Sequence, residues 1–235
     1  MGEYSNIAWT LRTWNPWRGC TKVDPGCKNC YMFPAQLRGG LDPSTVVRTK
    51  TWGDPRKWQR EAQAAGRFER VFTCSWSEWF HTDADAWRPE AWALVKNCPN
   101  LHFQVLTTRA DRIASCLPPD WGDGYPNVWL GVSISEEKGL WRADELRKIL
   151  ARVRFISYEP ALGPLGALNL TGIHWVIFGG ESGPAFRPMN VEWARAMRDK
   201  CKAAGVAFFY KQSAARLPGQ GHELDGQVIQ EYPAL

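Results

Sequence analysis

The chain has 235 residues, 44% of them hydrophobic, with 29 basic against 24 acidic side chains for a formal net charge of +5. That is enough apolar material for one domain with a real core or one barrel, and too much for a disordered chain. No charge-free apolar run reaches membrane-spanning length, and the opening Met1-Gly-Glu-Tyr-Ser5 lacks a basic-then-apolar leader pattern, so a soluble cytoplasmic chain with no membrane partner is expected.

Short β-branched or aromatic runs alternate with longer amphipathic ones along the chain. Strands are predicted over residues 8–14, 70–74, 102–106, 128–132, 153–157, 175–178 and 207–210. Helices are predicted over 29–37, 55–64, 89–97, 109–116, 143–151 and 191–204, the last opening on Asn190 as N-cap and closing on Gly205. Such alternation predicts an α/β fold, a compact partial (β/α) barrel of about six to seven parallel strands, with an open doubly wound sheet as the alternative. With no Gly/Ser linker, 1–235 reads as a single domain, with a cysteine loop at 15–31 and a polar excursion at 38–67. The excursion carries Lys50, Trp52, Lys57 and Arg60, which read equally as a lid, a basic contact surface or a solvated helix.

Seven cysteines is an odd number, and three of them, Cys20, Cys27 and Cys30, stand as C-x6-C-x2-C in a loop bent by Gly19, Pro25 and Gly26. The spacing argues against a secreted disulfide framework and for a metal centre. Three thiolates with no evident fourth ligand match an iron–sulfur cluster with one open iron. A zinc site completed by Cys74 or His81 matches the spacing equally well.

A parallel α/β fold puts its site at the carboxyl ends of the strands. Those ends read, in order, Asn15 and the cysteine loop, Cys74-Ser-Trp-Ser-Glu-Trp-Phe-His81, Thr107-Thr-Arg109, Ser133-Ile-Ser-Glu-Glu137, Tyr158-Glu-Pro160, Gly179-Gly-Glu-Ser-Gly183 and Lys211-Gln212. Gly179 and Gly180 allow close backbone approach to a ligand, and Glu181 beside them suits an ammonium group or ribose hydroxyls, or else the three make an ordinary turn. Glu159 and Glu181 at neighbouring ends read as a carboxylate pair of a barrel hydrolase or as salt-bridge partners. Arg109 and Lys211 are the candidate anion binders. Of the fourteen tryptophans, Trp14, Trp17, Trp76 and Trp79 lie beside these motifs, where stacking on bases competes with plain core packing.

The cysteine run resembles the phage-associated three-cysteine-motif family, together with Ser75-Trp-Ser-Glu-Trp-Phe-His81, Phe103-Gln-Val-Leu-Thr-Thr-Arg109, Arg154-Phe-Ile-Ser-Tyr-Glu-Pro160, Trp175-Val-Ile-Phe-Gly-Gly-Glu-Ser-Gly-Pro184 and Phe208-Phe-Tyr-Lys-Gln212. That family is itself similar to radical S-adenosylmethionine enzymes. The resemblance implies a [4Fe–4S] cluster on Cys20, Cys27 and Cys30, S-adenosyl-L-methionine on the open iron, and an external electron donor. It also implies a 5′-deoxyadenosyl radical acting on a DNA or nucleotide substrate, with isomerisation of a hypermodified nucleobase as one outcome, in the host cytoplasm if the chain is phage-encoded. The usual C-x3-C-x2-C spacing is lengthened here, and Tyr31 follows the last cysteine instead of preceding it. The Gly-Gly-Glu element follows a late strand, so Ser75, Ser77 and Glu78 at the second strand end, with Thr107, Arg109, Ser133, Gly179 and Gly180, are the candidate cofactor-binding residues. Glu159, Glu181 and Lys211 are the candidate catalytic ones. A metal-stabilised nucleic-acid-binding protein and a carboxylate-dependent hydrolase remain the alternatives.

Overall fold

The computed structural model describes residues 4–234, so the reading of Met1-Gly-Glu at the start of the chain lies outside the described residues. Strand β1 (Arg12–Trp14) leads through β2 (Trp17–Arg18) to helix α1 (Met32–Arg38), then β3 (Val47–Arg48), α2 (Asp54–Ala64) and β4 (Glu69–Thr73). After α3 (Arg88–Lys96) come β5 (Leu101–Thr107), α4 (Ile113–Cys116), β6 (Val128–Ser133), α5 (Trp141–Arg147), β7 (Val153–Tyr158) and β8 (Trp175–Gly179). The chain then forms α6 (Val191–Ala204) and β9 (Ala207–Gln212). Seven strands form one all-parallel sheet in the order β1-β4-β5-β6-β7-β8-β9, as the alternation predicts. No helix is long and apolar enough to cross a membrane among the described residues.

The sheet is rolled. Trp9, just before β1, meets Trp175 on β8 with ring centroids 6.1 Å apart and Phe155 on β7 at 6.5 Å. In a flat sheet the five strand steps from β1 to β8 would span about 24 Å, at ~4.8 Å each. Strand alternation divides each strand between two environments. Val71, Val105, Leu130, Ile156, Val176 and Phe208 belong to the large core under the helices. Phe72, Trp129, Phe155, Trp175 and Phe209 point the other way and join Trp9 in a second core that fills the floor of the barrel.

Gly131 on β6 makes room for that floor, because a Cβ there would lie 2.4 Å from the Phe155 ring. The gap between β9 and β1 is crossed by the C-terminal tail, which runs antiparallel to β9 through the Phe209–Gln230 bridge. Its Tyr232 ring packs on Trp175 and Phe209 at 5.3 and 5.6 Å and lies under the Arg70 guanidinium at 3.9 Å.

The differences from the sequence expectation have local causes. The first strand shrinks to three residues because the chain turns at Ile7–Thr10 to aim Trp9 into the floor. Helix α1 starts at Met32 because Pro25–Cys27 forms a 3-10 turn. Helix α4 keeps only Ile113–Cys116: the Arg109 amide is held by Thr107 Oγ1 at 2.8 Å, and Pro118 and Pro119 follow its end. The excursion is the crossover from β1 to β4. Its β3 pairs with β2, and α2 buries Trp58, Gln59 and Ala62 while Lys50, Lys57 and Arg60 face solvent.

Overpacking the floor tests the rolled geometry. Gly131→Ala should cost about 1–3 kcal/mol in chemical denaturation. Adding Phe155→Leu should recover part of that loss. Additive losses in the double variant would mean that residue 131 and the Phe155 ring are not in contact.

Candidate functional site

At the end of β4 the chain turns through Cys74, a buried non-glycine residue at φ 58°, a conformation costing about 1 kcal/mol. The turn sends residues 75–77 back across β1 to the cysteine loop. Asn15 Oδ1 accepts from the Trp76 amide at 2.8 Å, and Asn15 Nδ2 donates to Ser75 Oγ at 3.1 Å. The Gly19 amide donates to Trp76 O at 3.1 Å, and Ser77 Oγ donates back to Gly19 O at 2.5 Å. Tyr31 OH donates to Ser75 O at 2.7 Å.

The rest of the loop is tied to further strand ends. Beyond β5, Arg109 donates to Thr21 Oγ1 at 2.8 Å. His81 Nδ1 accepts from the Asp83 amide at 3.2 Å, so its Nε2 carries the hydrogen and donates to Thr21 at 3.1 Å. Burial, with Arg109 nearby, lowers the His81 pKa and keeps the ring neutral. Beyond β6, Asp24 caps the 3-10 turn by accepting from Gly26 N at 2.7 Å, and it forms a buried ion pair with Arg142 at 2.7 Å. Beyond β8, Glu181 accepts from Asn29 Nδ2 at 3.0 Å and from Arg187 at its backbone amide, Nε and Nη2. Arg187 also donates to Pro25 O at 3.0 Å.

Most of the polar strand ends thus hold the loop. Ser75, Ser77, Arg109 and Glu181 are among its clamps, while Glu78 is buried and accepts from the Thr108 amide and hydroxyl at 3.0 Å each. Thr107 caps its own turn, and Ser133 Oγ donates to Glu159 O at 3.0 Å. Gly180 faces chain, not open space: a Cβ there would lie 2.1 Å from the Ala214 amide nitrogen. A Cβ on Gly179 would meet the Glu159 carboxyl carbon at 3.0 Å, so that glycine makes room for Glu159. The ends of β7 and β9 supply the one candidate pair not engaged with the loop, Glu159 and Lys211, joined by an ion pair with side chains about one fifth exposed at 21% and 19%.

Two of the alternatives lose support from this geometry. Burial pulls the Glu181 carboxyl upward, but the hydrogen bonds from Arg187 and Asn29 outweigh it and hold the group below its ordinary 4.5. A carboxylate saturated by these donors is no acid–base partner for Glu159. Of the two residues the spacing offers as a fourth zinc ligand, His81 has both ring nitrogens engaged and Cys74 is buried under the turn. Among the described residues no group of three or more His, Cys, Asp or Glu stands close enough to hold one ion. Base stacking by the neighbouring indoles is also corrected, because Trp14, Trp17 and Trp79 are fully buried and packed on one another; only Trp76 of the four is part-exposed.

Cys20, Cys27 and Cys30 are unpaired, partly exposed thiols. Burial pushes the Cys20 thiol up to about 12, with Glu78 and the other two cysteines adding to the rise and Arg109 opposing it. Cys30 is raised by burial and again by Cys27. Cys20 thus feels both of the other cysteines and Cys30 feels Cys27, and burial disfavours the thiolate form of Cys20 and of Cys30. Sequence reasoning missed Asp24, Asn29, Arg142 and Arg187 as the residues that hold these thiols in place. Only Asp24 carried a local signal, as an N-cap type directly before Pro25.

The depressed Glu181 carboxyl fixes a pH dependence. A group whose folded pKa lies below its unfolded value stabilises the fold above the unfolded pKa and loses that contribution as the pH falls through the folded one. Glu181→Gln should therefore flatten the stability–pH curve below about pH 4.5, measured by urea denaturation. An unchanged slope would remove Glu181 from the ionised brace.

No curated protein matches the chain. Two solved structures are similar to it. One is spore photoproduct lyase complexed with dinucleoside spore photoproduct, at 13% identity and TM-score 0.48, covering 78% of this chain and 58% of that one. The other is a mutant spore photoproduct lyase with bound AdoMet and dinucleoside spore photoproduct, at 12% identity and TM-score 0.49, covering 81% of this chain and 61% of that one. The chain thus spans about three fifths of the length of these structures. The chain belongs to the family described as a protein of unknown function, DUF5131, whose model matches residues 4–233.

Proposed function

We propose that the chain is an iron–sulfur enzyme of the radical S-adenosylmethionine kind, with Cys20, Cys27 and Cys30 as the cluster ligands. One observation carries the reading: three unpaired, part-exposed thiols lie on a single loop that is clamped to the carboxyl ends of a rolled parallel sheet. The donor set fits the group. Soft sulfur ligands match iron, a cationic centre offsets the burial that disfavours the Cys20 and Cys30 thiolates, and a four-iron cluster accepts thiolates set wider apart than the ligands of one ion. When bound, the cluster would supply an electron to S-adenosylmethionine and so give a 5′-deoxyadenosyl radical.

The residues of the chain have separable tasks in this reading. The clamps from β4, β5, β6 and β8 keep the thiols in register. The aromatic floor excludes water from below. Among the candidate residues, Lys211 and Glu159 are the charged pair not engaged with the loop, with Lys211 offering donors to a carboxylate or phosphate and Glu159 accepting from an ammonium or hydroxyl. A DNA or nucleotide substrate, including a modified base, is compatible with the charge of +5, and a base in duplex DNA must be flipped out to reach the mouth.

Anaerobic reconstitution with iron and sulfide tests the class. The protein should bind about four irons, absorb near ~400 nm, bleach with dithionite and convert S-adenosylmethionine to 5′-deoxyadenosine. Cys20→Ala, Cys27→Ala and Cys30→Ala should each abolish the last reaction. Stoichiometric zinc with no iron uptake would overturn the proposal. Lys211→Gln should lower turnover on an anionic substrate at least about tenfold while leaving iron content unchanged.

A further inference from the structure

We infer that Glu181 is a positioning residue for the Cys27–Cys30 segment, acting through Asn29 and Arg187, and that it does not itself bind cofactor or substrate. This rests on the cluster reading only for its chemical purpose; the brace itself is a property of the folded chain. Glu181 lies just beyond β8 and is 6% exposed. One of its oxygens takes Asn29 Nδ2 at 3.0 Å, the Arg187 amide at 2.8 Å and Arg187 Nε at 2.9 Å, while the other takes Arg187 Nη2 at 2.5 Å. Asn29 sits between Cys27 and Cys30 and donates a second bond to Ala185 O at 2.8 Å. Arg187 Nη1 reaches Pro25 O at 3.0 Å, two residues before Cys27.

Two of the three cysteines are therefore fixed against residues 181–187, from just ahead of the pair at Pro25 and from within it at Asn29. Cys20 is not. Its segment is held by Pro43, Trp76, Ser77 and Arg109, none of which touches Glu181 in the hydrogen-bond pattern. The Glu181 backbone is itself anchored, since its carbonyl accepts from the Ala215 amide at 3.0 Å and Ser182 bridges to Ala215. A carboxylate with its lone pairs occupied and its backbone pinned has the features of a fixed post and lacks those of a mobile ligand.

This separation makes the test specific. In metal-free protein, Glu181→Gln and, independently, Asn29→Ala should speed iodoacetamide alkylation of Cys27 and Cys30 by about tenfold, the effect of losing a charge-assisted hydrogen bond. Cys20, followed in the same digest by mass spectrometry, should change less than about twofold. Glu181→Asp should restore much of the protection, because it keeps the charge. Equal acceleration at all three cysteines would show general loosening, and no acceleration at any would show that the brace carries nothing; either result overturns the inference. In iron-loaded protein the same variants should shift the electron paramagnetic resonance spectrum of the reduced cluster. If the parent chain takes up no iron, the proposed function fails while the alkylation result still decides the positioning role.

Discussion

A largely irregular loop laid across the mouth of a parallel barrel must find partners for its polar groups away from regular secondary structure, and the rest of the site depends on how that demand is met. The cysteine loop meets it by bonding outward to β4, β5, β6 and β8. The polarity of those strand ends is thus chiefly architectural. Among the described candidate residues, Glu78, Thr107 and Ser133 bond to their own or neighbouring strand ends instead, and the three thiols and the Glu159–Lys211 pair stand outside the clamps. The buried Asp24–Arg142 ion pair illustrates the stakes, since removing one partner of such a pair leaves a charge stranded in low dielectric.

The fold was largely legible in the sequence because the strands that carry it are long and apolar on both faces. Six of the seven sheet strands, and α6 with both of its caps, stand where periodicity and capping chemistry put them, and β1 keeps the last three residues of its predicted run. The short ribbon of β2 and β3 left no signal, because two-residue strands are made by tertiary contact and not by pattern. The place of the cysteine loop at the carboxyl ends of the strands was legible as well, from the parallel alternation and the position of the cysteines just after the first strand. The roles of the residues around it were not. Whether Glu181 points at a ligand or at Arg187 is decided by a neighbour six residues on, and whether Arg109 binds an anion or Thr21 by a loop 88 residues away. Residue type marks a group as able to bind charge; only the packed chain says which charge it binds.

The tryptophans teach a similar lesson. A chain rich in indoles beside its site motifs invites a stacking role, yet Trp14, Trp17 and Trp79 form one cluster of mutually tilted rings beneath the loop. Their nitrogens join the scaffold where they are bonded: Trp17 Nε1 donates to Glu78 O at 3.0 Å, and Trp14 Nε1 to Thr51 O at 3.1 Å. Large rigid rings suit a site that must not yield when its loop is loaded, because each carries much contact area on few rotatable bonds.

The tail that runs beside β9 has a consequence for how the chain is made. Trp9 and Arg70 come from early in the chain, but the ring that lies under Arg70 and against Trp175 is Tyr232. During synthesis the early strands emerge long before that ring does, and they wait with an aromatic inner surface that no later residue yet covers. The floor of the barrel is completed only after β9 has left the ribosome. A nascent chain of this protein is thus more exposed to misassociation than its folded form, and a nonsense change just ahead of Tyr232 removes part of the core and not a dispensable end.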